Sequence, residues 1–149
     1  MTLYIAADHR GFALKEKLHS HFQSEFTVVD CGNKMFNPED DYVDWVAELA
    51  KRMGQDTQGL GVVLCSSGCG VAISANRYAH LRATTATDQA MLEADCRDDL
   101  VNVLALGADY ITFENAIPLV HAFIRLPRGA EKRYLRRIEK LSQLGSVIA

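Results

Sequence analysis

The sequence has no excess of basic charge and no long apolar run. Its 149 residues carry 16 Lys and Arg against 19 Asp and Glu, for a formal net charge of −3. A nucleic-acid partner is therefore not expected. No segment stays apolar for the roughly 20 residues that a membrane helix needs, so no membrane partner is expected either. The first residues, MTLYIAADHRG, do not resemble a signal peptide, and we expect a cytoplasmic location.

Cysteine is sparse and irregularly spaced. The four cysteines are Cys31, Cys65, Cys69 and Cys96. Their spacing fits neither a zinc site nor a small secreted scaffold held by disulfides. We therefore expect reduced thiols.

What is present is an alternation of strand-like and helical segments. Apolar, strand-like runs cover residues 2–7, 26–29, 60–64, 81–87 and 101–106. Helical spacing of apolar residues covers residues 12–22, 42–53, 71–77, 88–96, 113–124 and 130–144. This alternation predicts βαβ units and a parallel sheet. We predict a single domain over residues 1–149, an α/β fold of the Rossmann-like type. It is a three-layer α/β/α sandwich with a five-stranded parallel sheet and an extra C-terminal helix.

The most informative loop is C-S-S-G-C-G at residues 65–70, which joins an apolar strand to a helix. Ligands of open α/β sheets bind beyond the carboxyl ends of the strands. Gly68 and Gly70 allow backbone N–H groups to turn inward at the start of a helix, which predicts a site for a phosphate or a developing oxyanion. Such a site favours the thiolate of Cys65. The alternative is a tight turn around an inert buried thiol.

Three other known loops do not match this segment. A phosphate-binding P-loop requires a Lys followed by Ser or Thr, which is absent. A cysteine phosphatase loop places Arg six residues after the cysteine, where this chain has Val71. A metal or redox pair of Cys65 with Cys69 lacks C-x-x-C spacing and a second pair.

Two further motifs carry charged groups suited to a polar or anionic ligand. Asp8 and His9 follow the first strand, although an aspartate there is commonly only a cap. Arg133 and Arg137 lie one helical turn apart, so two guanidinium groups can grip one phosphate. The alternative for these arginines is a solvated basic helix, and a C-terminal helix could also reach a neighbouring subunit.

Together these motifs resemble the type B ribose-5-phosphate isomerase family, which includes the galactose-6-phosphate isomerase subunits. The resemblance covers nearly the whole chain. It rests on A-A-D-H-R-G-F at 6–12, D-D-Y at 40–42, L-C-S-S-G-C-G-V-A-I-S-A-N at 64–76, N-V-L-A-L-G at 102–107 and R-Y-L-R-R-I-E at 133–139. Several motifs in one order are far more specific than any single one.

The resemblance implies an aldose–ketose isomerase that moves a proton between C1 and C2 of a phosphorylated sugar through an enediolate. Ribose 5-phosphate with ribulose 5-phosphate, or a 6-phosphohexose, would be the substrate. Cys65 would be the base, and Ser67 with the amides of Gly68, Cys69 and Gly70 would stabilise the enediolate oxygen.

The resemblance also implies the remaining substrate contacts and the assembly. Asp8 would bind sugar hydroxyls, Tyr42 would line the pocket, and the phosphate would be held by His9, Arg133 and Arg137. The family forms homodimers, in some cases tetramers, whose active sites use residues of both subunits. It needs no metal and no organic cofactor for the reaction.

The chain departs from the family at four positions. Asp98 and Asp99 replace a His-Asn pair whose histidine assists ring opening, so we assign Asp98 as a substitute acid–base group and Asp99 as a substrate contact. Asp109 replaces an arginine that holds phosphate, and Ser66 replaces a frequent glycine in the substrate-binding loop. These acids motivate a second hypothesis, a non-catalytic sugar-phosphate-binding subunit or sensor. A third hypothesis is a signalling receiver domain of similar α/β form. Such a domain needs a phosphoacceptor aspartate at the end of the third strand, where this chain has Cys65, so this hypothesis is disfavoured.

Overall fold

A computed structural model describes residues 1–129 and 131–144. Ala130, the predicted start of the last helix, and residues 145–149 lie outside the described residues. The strands are β1 (Thr2–Ala7), β2 (Thr27–Asp30), β3 (Leu60–Cys65), β4 (Ala83–Thr84) and β5 (Val103–Gly107). The helices are α1 (Phe12–Phe22), α2 (Tyr42–Met53), α3 (Cys69–Ala75), α4 (Gln89–Asp99), α5 (Phe113–Arg125) and α6 (Lys132–Leu144).

The five strands form one parallel sheet in the order β2-β1-β3-β5-β4. The central strand β3 pairs with β1 through Leu64 and Ala7, and with β5 through Cys65 and Gly107. The carboxyl ends of these three strands therefore meet at one edge of the sheet. The predicted five-stranded parallel sheet is confirmed.

Helices cover both faces of the sheet, which confirms the three-layer arrangement. Along β1, Leu3 and Ile5 belong to the core formed with α1, α4 and α5, whereas Tyr4 and Ala6 belong to the core formed with α2 and α3. Side chains of a strand alternate between its faces. The same alternation along β3 turns the side chain of Cys65 toward α2 and α3.

The fourth strand is much shorter than its predicted range of 81–87. Only Ala83 and Thr84 pair with β5. On the outer side, the amide side chain of Asn76 donates to the carbonyl of Ala83 at 3.0 Å and accepts from its N–H at 2.8 Å. Because a side chain satisfies the backbone that a further strand would pair with, the sheet ends here.

The predicted C-terminal helix is present as α6, which packs against α4. Its buried residue Tyr134 is 5% exposed, and the preceding Gly129 donates its N–H to the carbonyl of Cys96 in α4 at 3.4 Å. Leu135 and Leu141 of the same helix are about half exposed, at 46% and 50%. Among the described residues, no helix is both long and apolar enough to cross a membrane.

Candidate active site

Cys65 ends β3 and is almost buried, with 5% of its surface exposed. The N–H of Gly68 donates to its Sγ at 3.2 Å. Gly68 has φ +80°, a left-handed conformation that a residue with a side chain adopts only at a cost. The glycine therefore allows the turn that aims an amide donor at the sulfur.

The turn that carries Cys65 is packed against the end of β5. Ala108 donates its N–H to the carbonyl of Cys65 at 2.8 Å, and Asp109 donates its N–H to the carbonyl of Ser66 at 3.0 Å. A Cβ on Gly107 would lie 2.7 Å from the carbonyl oxygen of Ser67, closer than real contacts allow. The two hydrogen bonds and this close packing hold the turn at residues 65–67 against the end of β5.

Ser67 is exposed at the tip of the turn, next to a cavity of about 730 Å³. Its hydroxyl accepts from the N–H of Cys69 at 3.3 Å. The cavity is also lined by Thr85, Tyr110 and Asn115, none of which sequence reasoning identified. The only signal for them is that the loop after the fifth strand, which leads into Tyr110, lies at the same sheet edge.

Asp8 lies beside β3, because its N–H donates to the carbonyl of Leu64 at 3.3 Å. Its carboxylate is 6% exposed and accepts from the N–H groups of Arg10 at 2.9 Å and Gly11 at 3.0 Å. Both of these hydrogen bonds use Oδ1. Oδ1 of Asp8 therefore caps its loop next to Cys65, and the assignment of Asp8 to sugar binding stays a prediction.

His9 is held by a carboxylate that sequence reasoning missed. Asp40 accepts the backbone N–H of His9 at 2.8 Å and lies 2.9 Å from its ring Nδ1. It also accepts from the indole N–H of Trp45 at 2.9 Å and from the amide of Asn33. Asp40 stands in the D-D-Y motif, but no local pattern connects it to His9, which is 31 positions away.

The pKa values of this pair move in opposite directions. The hydrogen bond with Asp40 raises the pKa of His9 above its ordinary 6.5. Burial would raise the pKa of Asp40, but the hydrogen bonds from His9, Trp45 and Asn33 lower it. The pair favours a cationic imidazole whose Nδ1 donates to Asp40, and this leaves Nε2 to face a ligand.

Tyr42 also lies at this site. A Cβ on Gly70 would stand 2.8 Å from Cζ of Tyr42, so the phenol ring lies directly on the first turn of α3. Any larger residue at position 70 would displace the ring. The structure thus brings together Asp8, His9, Tyr42, Cys65 and the residues 66–70 at one edge of the sheet.

The acid at position 109 is paired with a nearby cation. Nη2 of Arg10 lies 2.7 Å from Oδ2 of Asp109. The two side chains are 56% and 42% exposed, so the pair contributes little to folding. Its effect is to offset the negative charge of Asp109 at the rim of the site.

Asp98 and Asp99 do not reach Cys65 within one chain. Asp99 ends α4, shortly before β5 begins at Val103. Val103 pairs with Gly61, whereas Gly107 pairs with Cys65. The run of β3 from Gly61 to Cys65 spans about 13 Å, and Asp99 lies still further from Cys65 along the chain direction. The two acids therefore stand at the opposite edge of the sheet.

Arg133 and Arg137 lie with these acids at the start of α6. Their guanidinium carbons are 4.8 and 5.8 Å from the centre of the Tyr134 ring, so both share one face of the helix as predicted. Asp98 is bound by Arg97 at 2.7 Å, and this hydrogen bond lowers the pKa of Asp98. One chain thus splits the predicted site residues into two groups.

These features define an α/β protein with a thiol held in a glycine-rich turn beside an Asp-His pair. A family model described as "Ribose/Galactose Isomerase" matches residues 3–141. The chain therefore belongs to this family, as its sequence motifs predict.

Individual relatives agree with the family match. The chain is 31% identical over 144 residues to ribose-5-phosphate isomerase B of Mycolicibacterium paratuberculosis, which covers 96% of this chain and 91% of the relative. The type B ribose 5-phosphate isomerase of Trypanosoma cruzi superimposes with a TM-score of 0.91, at 28% identity and 99% and 98% coverage. The Mycoplasma genitalium enzyme with bound ribulose-5-phosphate gives a TM-score of 0.89, 28% identity, and 97% and 96% coverage.

Proposed function

We propose that this protein is an aldose–ketose isomerase that interconverts ribose 5-phosphate and ribulose 5-phosphate. The observation that carries the proposal is the Cys65 thiol in a glycine-rich turn, with the Gly68 amide 3.2 Å from its sulfur. Membership of the isomerase family supports it, as does the relative solved with ribulose-5-phosphate. A 6-phosphohexose is the alternative substrate.

In this mechanism Cys65 acts on the ring-opened sugar. The thiolate takes the proton from C2, the C1=C2 bond forms and negative charge develops on O1. The same thiol then returns the proton to C1 while the proton of O2 passes to O1, and C2 becomes the carbonyl carbon. One base suffices because C1 and C2 are adjacent.

The turn around Cys65 supplies the stabilisation that the enediolate needs. In this proposal the Ser67 hydroxyl and the Gly70 amide donate to the enediolate oxygen, and the amides of Gly68 and Cys69, which bond Sγ of Cys65 and Oγ of Ser67 in the free chain, join them when substrate binds. Preorganised donors of this kind are typically worth about 10²–10³ in rate for each one removed. The Tyr42 ring, which lies on Gly70, borders the substrate in this proposal.

The phosphate is bound by cations on the rim of the site. Asp40 favours the cationic form of His9, which makes His9 a phosphate ligand in this proposal. Arg10 is paired with Asp109, so it offsets the acid at the position where the family has an arginine and adds no net positive charge. Asp8 and Ser66 contact the sugar in this proposal, and Asp8 also accepts backbone N–H groups of its own loop.

A second copy of the chain completes the site in this proposal. Asp98, Asp99, Arg133 and Arg137 lie at the sheet edge opposite Cys65, so only a neighbouring protomer can bring them to the thiol. The exposed Leu135 and Leu141 of α6 favour a buried contact for this helix. We therefore include a homodimer, alone or within a tetramer, with active sites shared between protomers.

Mixing two inactive variants tests the shared site. One protomer carries Cys65→Ala and the other carries Arg133→Ala with Arg137→Ala, assayed at low substrate concentration. Random exchange in a two-fold dimer gives hybrids with one intact site, so about a quarter of wild-type activity returns. A mixture that exchanges subunits, as shown by native mass spectrometry, and stays inactive would contradict the shared site.

The alternative function, a sugar-phosphate sensor without catalysis, is favoured by one observation. Arg97 lowers the pKa of Asp98, so this carboxylate is a poor proton donor for ring opening. A panel of pentose and hexose phosphates separates the two functions. Binding that raises the melting temperature without any interconversion would favour the sensor, whereas turnover of any panel member would exclude it.

We further propose that the chain works as one domain in the cytosol. The family model runs from residue 3 to residue 141 without interruption. All four thiols are free, which suits a reducing compartment and a base that must stay unoxidised. Proteolysis that releases a stable internal fragment would argue against one domain.

A further inference from the structure

We propose a divalent metal site, best suited to Zn²⁺, formed by His21, Glu25 and His121. His21 lies in the last turn of α1, Glu25 in the turn that follows, and His121 in α5. One ligand atom from each side chain lies within 4.8 Å of the other two. The proposal goes beyond the isomerase function, because these residues have no part in it.

The site is remote from the loop that carries Asp8 and His9. Helix α1 begins at Phe12 beside that loop, and His21 follows it by about 13 Å of helix rise. A metal here would join the end of α1 to α5, two helices that pack side by side on one face of the sheet.

The His121 imidazole lacks the hydrogen bonds that such a group normally makes. Among the described residues, Nδ1 of His121 is buried without a partner. Its Nε2 is 3.7 Å from Oε1 of Glu25, which is too long for a hydrogen bond. The His21 ring packs edge-on against other aromatic rings, including that of His121 at 6.0 Å between centroids. No hydrogen bond within the described residues therefore competes for the ring nitrogens of His121, which leaves this imidazole available to a metal ion beside His21 and Glu25.

The donor set selects the metal. Two imidazole nitrogens and one carboxylate oxygen match Zn²⁺, which binds nitrogen at about 2.0–2.1 Å and carboxylate oxygen at about 2.0–2.2 Å. Donors at those distances in a tetrahedron lie about 3.4 Å apart. The three donors, which lie within 4.8 Å of one another, therefore need to approach by at most about 1.4 Å. Water would complete the coordination.

Neighbouring side chains affect how tightly the proposed site can bind Zn²⁺. Phe22 and Phe26 pack on His121, with ring centroids at 4.8 and 6.3 Å, and hold its orientation. Nη2 of Arg125 lies 3.8 Å from Oε2 of Glu25 and repels a divalent cation. Arg125 is 68% exposed, so its side chain can move away when metal binds.

Titration of the metal-free protein with Zn²⁺ against a chromophoric chelator tests the site. We compare the wild-type chain with Glu25→Gln, His21→Gln and Arg125→Gln, and use His19→Gln as the matched histidine control on the same helix. Glu25→Gln and His21→Gln should weaken binding by more than the roughly tenfold that loss of an outer-sphere partner costs. Arg125→Gln should tighten it. Circular dichroism checks that each variant is folded.

Co²⁺ substitution distinguishes this site from binding by cysteine. The proposed site gives d–d bands without a thiolate-to-metal charge-transfer band. At one Zn²⁺ concentration, the melting temperature of wild type and His19→Gln should rise by more than that of Glu25→Gln. Absence of Zn²⁺ binding in wild type would overturn the proposal. Equal binding by wild type and Glu25→Gln, or a charge-transfer band that accounts for all bound Co²⁺, would overturn it as well.

Discussion

Replacing Gly68 by alanine should disable the turn that holds Cys65. The backbone of Gly68 has φ +80°, and a Cβ placed there would lie 3.0 Å from the backbone nitrogen of Gly107 and 3.1 Å from the carbonyl carbon of Leu106. Both neighbours are backbone atoms at the end of β5, so neither can turn aside as a flexible side chain could. The turn itself has to move.

The size of the effect follows from this geometry. An alanine in the left-handed region costs about 1–2 kcal/mol, and for a chain of this length each kcal/mol lowers the melting temperature by roughly 2–4 °C. We therefore expect a loss of about 2–8 °C. The shifted turn also carries the Gly68 N–H away from the Cys65 sulfur. A misplacement of about 1 Å at a reacting centre can cost 10²-fold, so kcat should fall by about that factor.

The assay compares Gly68→Ala with Gly54→Ala. Gly54 ends α2 with φ −62°, which alanine adopts readily, and its nearest contact for a Cβ is 3.3 Å. Steady-state kinetics and thermal melting are measured for both variants. Gly68→Ala with wild-type kcat, or equal losses in the two variants, would refute the reasoning that the left-handed turn positions the thiol and its amide donors.

Two further predictions concern charged groups. Asp40→Asn keeps an acceptor oxygen but removes the negative charge that favours cationic His9. The pKa of His9 should therefore fall, and KM for the sugar phosphate should begin to rise at a lower pH than in wild type; KM measured from pH 6 to 9 checks this. Lys15→Met should leave the Asp30 carboxylate, which lies 2.7 Å from Nζ of Lys15 and is 8% exposed, without its buried partner. We expect the free energy of unfolding to fall by about 3 kcal/mol. Urea denaturation measures this loss, with the exposed-site variant Lys17→Met as the control.

The raised pKa of His9 sets the direction in which phosphate binding changes with pH. A raised histidine pKa keeps the imidazole cationic below it, so phosphate binding weakens as pH rises through that pKa. Asp44→Asn, in the exposed first turn of α2, should leave the pH profile unchanged. An unchanged profile in Asp40→Asn would exclude Asp40 as the group that positions His9. A Lys15→Met variant as stable as Lys17→Met would show that the buried ion pair contributes nothing.

The parts of the fold that follow from local pattern could be predicted. The continuous apolar run at residues 60–64 predicts a buried parallel strand, and β3 is that strand. The length of β4 could not be predicted in the same way, because the Asn102 side chain, which accepts the N–H of Arg82 at 2.7 Å and donates to the carbonyl of His80 at 2.8 Å, takes the place of strand pairing just before β4. No apolar pattern records such a contact.

The site could be predicted only in part, for a related reason. Cys65 and the glycines that follow it are neighbours in sequence, and the strand–turn–helix pattern predicts their arrangement. The contact of His9 with Asp40 joins two loops across 31 positions and needs the folded chain. The acid pair at 98–99 is separated from Cys65 by the length of a strand, a relation that only the register of β5 on β3 reveals.

Cys65 is the base in the proposed mechanism, and exchange of the substrate's C2 proton with solvent tests this role most directly. The control is Cys31→Ala, since burial raises the pKa of the Cys31 thiol to about 12 and keeps it protonated. Cys65→Ala should lose proton exchange and isomerisation while it remains folded and still binds the sugar phosphate, and Cys31→Ala should retain both activities. Full C2 exchange in Cys65→Ala would contradict the account.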